Sequence, residues 1–117
     1  MTRAPISAGR LRYRLTLLRK ILVDDGLGRR PVWTVLQDRT PADRQFISDG
    51  ERLRAQQQGA TVTVRFTVRN EGVARTLTSA DEVASDGVRY GISNVKPVDR
   101  ERFLEITAHA QADGGAP

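Results

Sequence analysis

Apolar and polar residues alternate with a period of two through most of this chain, and a helical period dominates nowhere. Leu11, Tyr13, Leu15 and Leu17 point one way while Arg12, Arg14 and Thr16 point the other, which predicts a half-buried strand over 11–18. The stretch Asp24-Asp25-Gly26-Leu27-Gly28 has turn chemistry, because its glycines accept positive φ. Val32 to Leu36, with Trp33 inside it, predicts the second strand of a hairpin with an extended tip, and Pro31 suits its first position. Asp38 to Gly59 is more polar. A pairing segment is expected near Arg44 to Ile47, and Ser48 with Glu51 three residues on forms a capping box that opens a short helix ended by Gly59.

Thr61 to Arg69 carries the strongest strand signal, with Val62, Val64, Phe66 and Val68 on one face and Thr63, Arg65 and Thr67 on the other. Asn70-Glu71-Gly72 predicts a turn, Leu77 to Val83 a polar link, and Asp86-Gly87 a tight hairpin turn. Val88, Tyr90 and Ile92 alternate along the next strand, with Gly91 expected at a bulge and Val95 to Val98 continuing past a kink. A charged turn, Asp99 to Arg102, then leads into a last strand carried by Leu104, Ile106 and Ala108. The sum predicts a mainly β fold, a small β-barrel or sandwich of about five to seven antiparallel strands with one short helix in a long loop. The expected organisation is an extended arm over 1–9, one barrel domain over 10–109 and a disordered tail over 110–117.

Composition narrows the picture without changing it. The chain has 117 residues, room for one domain, and its 5% aromatic content leaves a core made of Val, Leu, Ile and Ala. It has no cysteine, so neither disulfides nor thiolate metal sites arise. No apolar run approaches the roughly 20 residues that span a bilayer, so no membrane contact is expected. The net charge is +5, and it is unevenly placed. Arg3, Arg10, Arg12, Arg14, Arg19 and Lys20 crowd the first twenty residues with no acid among them, which leaves the remainder close to neutral. Such a patch meets an acidic protein surface, DNA phosphate or water.

Catalytic chemistry is hard to assemble from these residues. His109 is the single histidine and stands apart from other ligand types. Asp24 and Asp25 lack the alternating oxygen ligands of a calcium loop, and no phosphate-cradling helix follows Gly26 and Gly28. Asp81, Glu82 and Asp86 form an acidic cluster that reads as a solvated loop. No enzyme and no cofactor are therefore expected. A non-specific nucleic-acid-binding barrel is the more serious alternative, but it wants exposed aromatics between basic residues. Tyr13, Phe66 and Tyr90 alternate with the apolar residues and read as inward, which leaves Trp33 and Phe103 for exposure.

Taken in order, these segments resemble the head–tail adaptor, head-closure or "stopper" proteins of tailed phages, a family also found in prophages and gene transfer agents. The resemblance spans about residues 8–108. It is carried by Ala8-Gly9-Arg10-Leu11-Arg12-Tyr13-Arg14-Leu15-Thr16-Leu17, by the Asp25-Gly26 tip with Trp33 after it, and by Gly50-Glu51-Arg52-Leu53-Arg54-Ala55-Gln56-Gln57. The strand Thr61 to Arg69, the run Asp86 to Val95 and the closing Arg102-Phe103-Leu104-Glu105-Ile106 complete it. The chain departs from the family pattern at Leu36 to Arg44, where an apolar segment usually stands.

The resemblance implies a structural virion protein that forms a ring at the head–tail connector, retains packaged double-stranded DNA and docks the tail. Its implied partners are copies of itself, a portal-adaptor ring, a tail-terminator or tail protein, and the DNA in the channel. Its implied place is the neck of a virion or phage-like particle assembled in the bacterial cytoplasm. The neighbouring tail-terminator ring is the closest rival reading. Ring contacts are heterologous and need two different faces per subunit. Arg10, Arg12 and Arg14 of the arm and first strand, with Asp24, Asp25, Arg29 and Arg30 of the hairpin tip, are the candidate subunit or adaptor contacts. Arg39, Arg44, Asp49, Glu51, Arg52 and Arg54 of the polar stretch are the candidate channel or gating residues. Removing residues 1–9 is expected to leave the circular dichroism spectrum unchanged while weakening assembly into rings, as read by native mass spectrometry.

Overall fold

The alternating segments pair with one another into a closed antiparallel barrel. The computed structural model describes residues 7–47 and 61–111. Its strands are β1 (Tyr13–Asp24), β2 (Arg29–Phe46), β3 (Thr61–Arg69), β4 (Glu82–Ser85), β5 (Val88–Val98) and β6 (Phe103–Gln111), with short 3-10 turns at Ala8–Arg10 and Gly72–Thr76. Around the barrel the order is β1-β2-β3-β6-β5-β4, and β4 returns to β1. The expectation of a small, mainly β barrel holds. The short helix placed over Ser48 to Gly59 lies outside the described residues.

The core is the inward half of each alternation. Leu15, Leu17, Val64, Phe66, Val68, Val83, Ile106 and Ala108 have no solvent exposure. Phe66 meets Tyr90 edge-on at 5.3 Å between ring centroids, the geometry that places a positive ring edge on a negative ring face. A smaller cluster of Leu11 and Phe103, with Val98 against it, covers the start of β1. Phe103 is thus buried, contrary to its expected exposure, because β6 begins on it and pairs it with Val98 and Arg69.

Antiparallel closure alternates the strand directions. The β1–β2, β3–β4 and β5–β6 connections therefore share one barrel end, and the β2–β3 and β4–β5 connections share the other. The β5–β6 turn holds Asp99, Arg100 and Glu101 in consecutive left-handed conformations (φ 52°, 57° and 65°). Each such residue is unfavourable without a local tether. Arg102 donates to the Asp99 carboxylate at 2.7 Å, and the Asn70 side-chain amide donates to the Glu101 carbonyl at 2.8 Å.

Four details differ from the sequence expectation. The polar segment Asp38 to Arg44 is strand rather than loop, because β2 runs unbroken through it and pairs with β1 on one side and β3 on the other. The polar link before Asp86 ends in a short strand, β4, that closes the barrel. The register irregularity in β5 falls between Ile92 and Asn94, while Gly91 pairs regularly with Glu82 and His109. Finally, β6 extends through Ala110 to Gln111, two residues into the segment expected as tail. Phe66→Ala is expected to lower stability by about 3–5 kcal/mol, since it empties the centre of the core. Urea unfolding checks this, and a loss under 1 kcal/mol would contradict the packing described.

Candidate assembly surface

Beyond the barrel, β1 and β2 continue as a two-stranded ribbon. The pairing of β1 with β4 stops at Leu18–Glu82, and β3 begins to pair with β2 only at Ala42. From Arg19–Thr34 to Asp24–Arg29 the two strands pair with each other alone. Asp24 and Asp25 accept the Gly26 and Leu27 amides at 3.0 Å, and Gly26 and Gly28 take φ of 89° and 133°. These side-chain-to-backbone bonds and positive φ values make the tip, as its composition predicted. Arg30 pairs with Asp25 at 3.3 Å, while Arg29 and Asp24 have no ion-pair partner among the described residues.

The ribbon carries apolar side chains on both faces. Cross-strand partners share a face, so Leu22 lies beside Pro31 and Val35 beside Leu18, while Ile21 pairs with Val32 on the opposite face. Leu22 is 62% exposed, Val35 54%, Ile21 41% and the tip residue Leu27 97%. A two-stranded ribbon is marginal in water without a surface to pack on. Apolar residues grouped in this way mark a contact surface.

Its base is clamped by charge. Arg19 in β1 donates from Nε and Nη2 to both carboxylate oxygens of Asp81 (3.0 and 3.1 Å) and to the Thr76 carbonyl and hydroxyl. Asp81 is buried and also accepts the Thr78 amide. Burial alone would raise the Asp81 pKa, but the bonds from Arg19 and the Thr78 amide outweigh it and hold the carboxyl below its usual value. Above this clamp, the Trp33 ring carries Arg89 at 4.8 Å and Lys20 at 5.7 Å, and Arg89 in turn pairs with Glu82 at 2.6 Å. The clamp ties β1 to the β3–β4 connection, so the ribbon leaves the barrel in a set direction.

The candidate residues from the sequence divide among three places. Asp24, Asp25, Arg29 and Arg30 sit together at the ribbon tip. Arg10 pairs with Asp43 of β2 at 2.7 Å, while Arg12 and Arg14 donate to the carbonyls of Gly9, Leu11 and Tyr13. No carboxylate among the described residues pairs with Arg12 or Arg14, so their charge faces solvent. Arg39 and Arg44, the candidate channel residues among those described, are built into β2, which takes in the pairing segment expected near Arg44 and extends it back through Arg39. Arg44 lies 4.2 Å from the Tyr13 ring centroid and donates to Ser85 and Asp86. Arg39 sits in a bulge with φ 56°, beside Asp38, whose carboxylate accepts the Thr16 hydroxyl and the Arg39 amide and is held below its usual pKa by those two bonds. Asp49, Glu51, Arg52 and Arg54 lie outside the described residues.

Sequence reasoning missed the clamp. The acidic cluster read as a solvated loop is distributed among three arginines: Asp81 to Arg19, Glu82 to Arg89 and Asp86 to Arg44. An excess of Arg over Lys is the one signal that pointed toward such bidentate pairing. His109 bridges the hydroxyls of Thr63 and Ser93 at 2.9 and 3.1 Å, a structural role. Among the described residues no cluster of metal-ligating side chains occurs, and no helix is long and apolar enough to cross a membrane. Of the two aromatics expected outside, Phe103 is buried, and Trp33 has Lys20 and Arg89 over its ring.

Residues 6–111 match the family described as phage head completion protein. A chain in the virion of a native gene transfer agent particle superposes with a TM-score of 0.63 at 27% identity, covering 87% of this chain and 96% of that one. The solution structure of a protein from Shigella flexneri 2a superposes with a TM-score of 0.67 at 20% identity, covering 90% and 96% respectively, and shares the fold. No curated protein matches significantly.

The clamp makes a pH prediction. A lowered folded pKa for Asp81 means its stabilising contribution is complete above the unfolded carboxyl value of about 3.9 and is lost as pH falls through the folded value. Asp81→Asn is expected to cost about 1.5–3 kcal/mol at neutral pH and to flatten the acid limb of the stability curve. Thermal melts of both proteins between pH 7 and pH 2 check this.

Proposed function

The chain belongs to the phage head completion protein family, and on that premise we propose that copies of it form a ring at the head–tail connector, retain packaged double-stranded DNA and dock the tail. Its role is structural, in head completion, as a component of a virion particle. The family match along nearly the whole folded chain carries this reading, and the barrel's construction supports it. A ring subunit needs a rigid body and outward elements that grip neighbours. The closed barrel supplies the body, and the ribbon supplies a projecting element with two apolar faces and a charged tip. The solvent-facing Arg12 and Arg14, with Arg10 beside them, suit an acidic surface on a portal-adaptor ring.

The barrel end away from the ribbon suits the channel. There the β2–β3 connection, which holds Asp49, Glu51, Arg52 and Arg54, joins the barrel next to Arg44 and the Asp86-Gly87 turn. In this reading that connection meets the DNA, while Arg39 and Arg44 serve β2 rather than a moving loop. A tail-terminator or tail protein then takes the face the ring leaves toward the tail.

Particles produced without this protein test the proposal. Expected are heads that package DNA, lose it on purification and carry no tails, with both defects reversed when the protein is supplied. Full-length, DNA-filled, tailed particles formed in its absence would overturn it. Electron microscopy and nuclease sensitivity of the particles provide the readouts.

A further inference from the structure

Where the ribbon joins the barrel, a depression of about 110 Å³ opens between β2 and the Gly72–Thr76 turn. Pro41 and Ala74 line it with the Thr40 side chain, and Gln37, Arg69 and Glu71 also border it. Its lining is as polar as it is apolar, and its volume is that of a single side chain with an apolar floor at Pro41 and Ala74 and charge at the rim. Neither Arg69 nor Glu71 is ion-paired among the described residues. The Thr40 hydroxyl is buried and has no hydrogen-bond partner among them.

The ribbon tip is the converse of this depression. Leu27 projects almost fully into solvent, next to Asp24 and Arg29, the pair that ends the ladder, neither of which has an ion-pair partner among the described residues. One apolar knob between an acid and a base faces, in kind, one small hollow between a base and an acid. The two cannot meet within one chain. The ladder from Leu18–Val35 to Asp24–Arg29 is unbroken and sets the tip about 20 Å from the ribbon base, at the usual rise per strand residue.

We propose that the ribbon tip of one copy docks in this depression on the next copy, with Leu27 in the hollow, Asp24 toward Arg69 and Arg29 toward Glu71. The donor and acceptor surfaces differ, so the contact is heterologous, the kind from which a ring of repeated copies is built when the rotation between them closes. Each subunit then grips its neighbour about one ribbon length away, and the clamp at Arg19 and Asp81 aims the donor. The inference rests on the ring reading and adds the contact that builds it.

The absence of cysteine makes a clean test possible. Leu27→Cys and Glu71→Cys are both exposed substitutions, so each variant is expected to fold normally. Mixed under mild oxidation, the two are expected to form a disulfide-linked heterodimer, and a chain carrying both is expected to give a ladder of covalent oligomers. Leu27→Cys mixed with Ser93→Cys, on β5 and outside the lining of the hollow, is expected to give none. In parallel, Leu27→Asp is expected to reduce ring assembly at least tenfold with an unchanged unfolding midpoint, while Leu27→Met preserves assembly. A ring that forms normally with Leu27→Asp, or that gives no Leu27–Glu71 cross-link, overturns the docking contact and leaves the ring standing. A wild-type chain that forms no ring in solution or at the particle neck overturns both.

Discussion

Closing the barrel depends on very few residues. Thr16, Leu17 and Leu18 of β1 pair with Ala84, Val83 and Glu82 of β4, and among the described residues these three pairs are the whole ladder between the first strand and the last in spatial order. This short seam removes the open sheet edges that would otherwise invite pairing with another chain. It also divides β1 into a part that belongs to the barrel and a part that leaves it. To follow β1 through that division, β2 inserts extra residues at two points, near Arg39 and near Leu36, which bend it and increase its twist. Leu17 and Leu18 can then both be buried in succession, against the simple alternation, as the strand turns from the core toward the ribbon.

The same division explains the placement of charge. A basic chain of this kind risks self-repulsion, yet many of its arginines are paired with acids far away in sequence. Arg10 meets Asp43, Arg19 meets Asp81 and Arg44 meets Asp86. Glu105 is buried on β6 between Arg65 of β3 and Lys96 of β5, so a carboxylate is held in place by neighbours on both flanking strands. Exposed ion pairs contribute little each, whereas the buried Asp81 and Glu105 carboxylates require theirs. Among the described residues, charges without an ion-pair partner include Asp24 and Arg29 at the tip, Arg12 and Arg14 at the start of β1, and Arg69 and Glu71 beside the hollow.

In the proposed function, contact falls to elements that the core leaves alone. Phe66, Val64, Val68 and Ile106 pack the barrel, and none of them reaches the ribbon. The ribbon's apolar side chains add nothing to that core and remain exposed at a cost in solubility, a cost that a permanent assembly partner removes. Head completion asks for such a body, rigid in itself and adhesive at its extensions.

The period-two pattern by itself determined the strand over Thr61 to Arg69, the inward faces of β5 and β6, and the hairpin turns at Gly26 and Gly87. It did so because alternation and turn chemistry are local: each is written within a few adjacent residues. It also pointed to the right family through the order of its motifs. The tertiary structure alone decided that Asp38 to Arg44 is strand, that β4 exists, and that the acidic cluster is a clamp. These depend on partners far along the chain, from Arg19 to Asp81 and from Thr16 to Ala84, and no local pattern records which strand lies next to which. The knob and the hollow were likewise invisible, because a cavity is a property of three segments meeting in space.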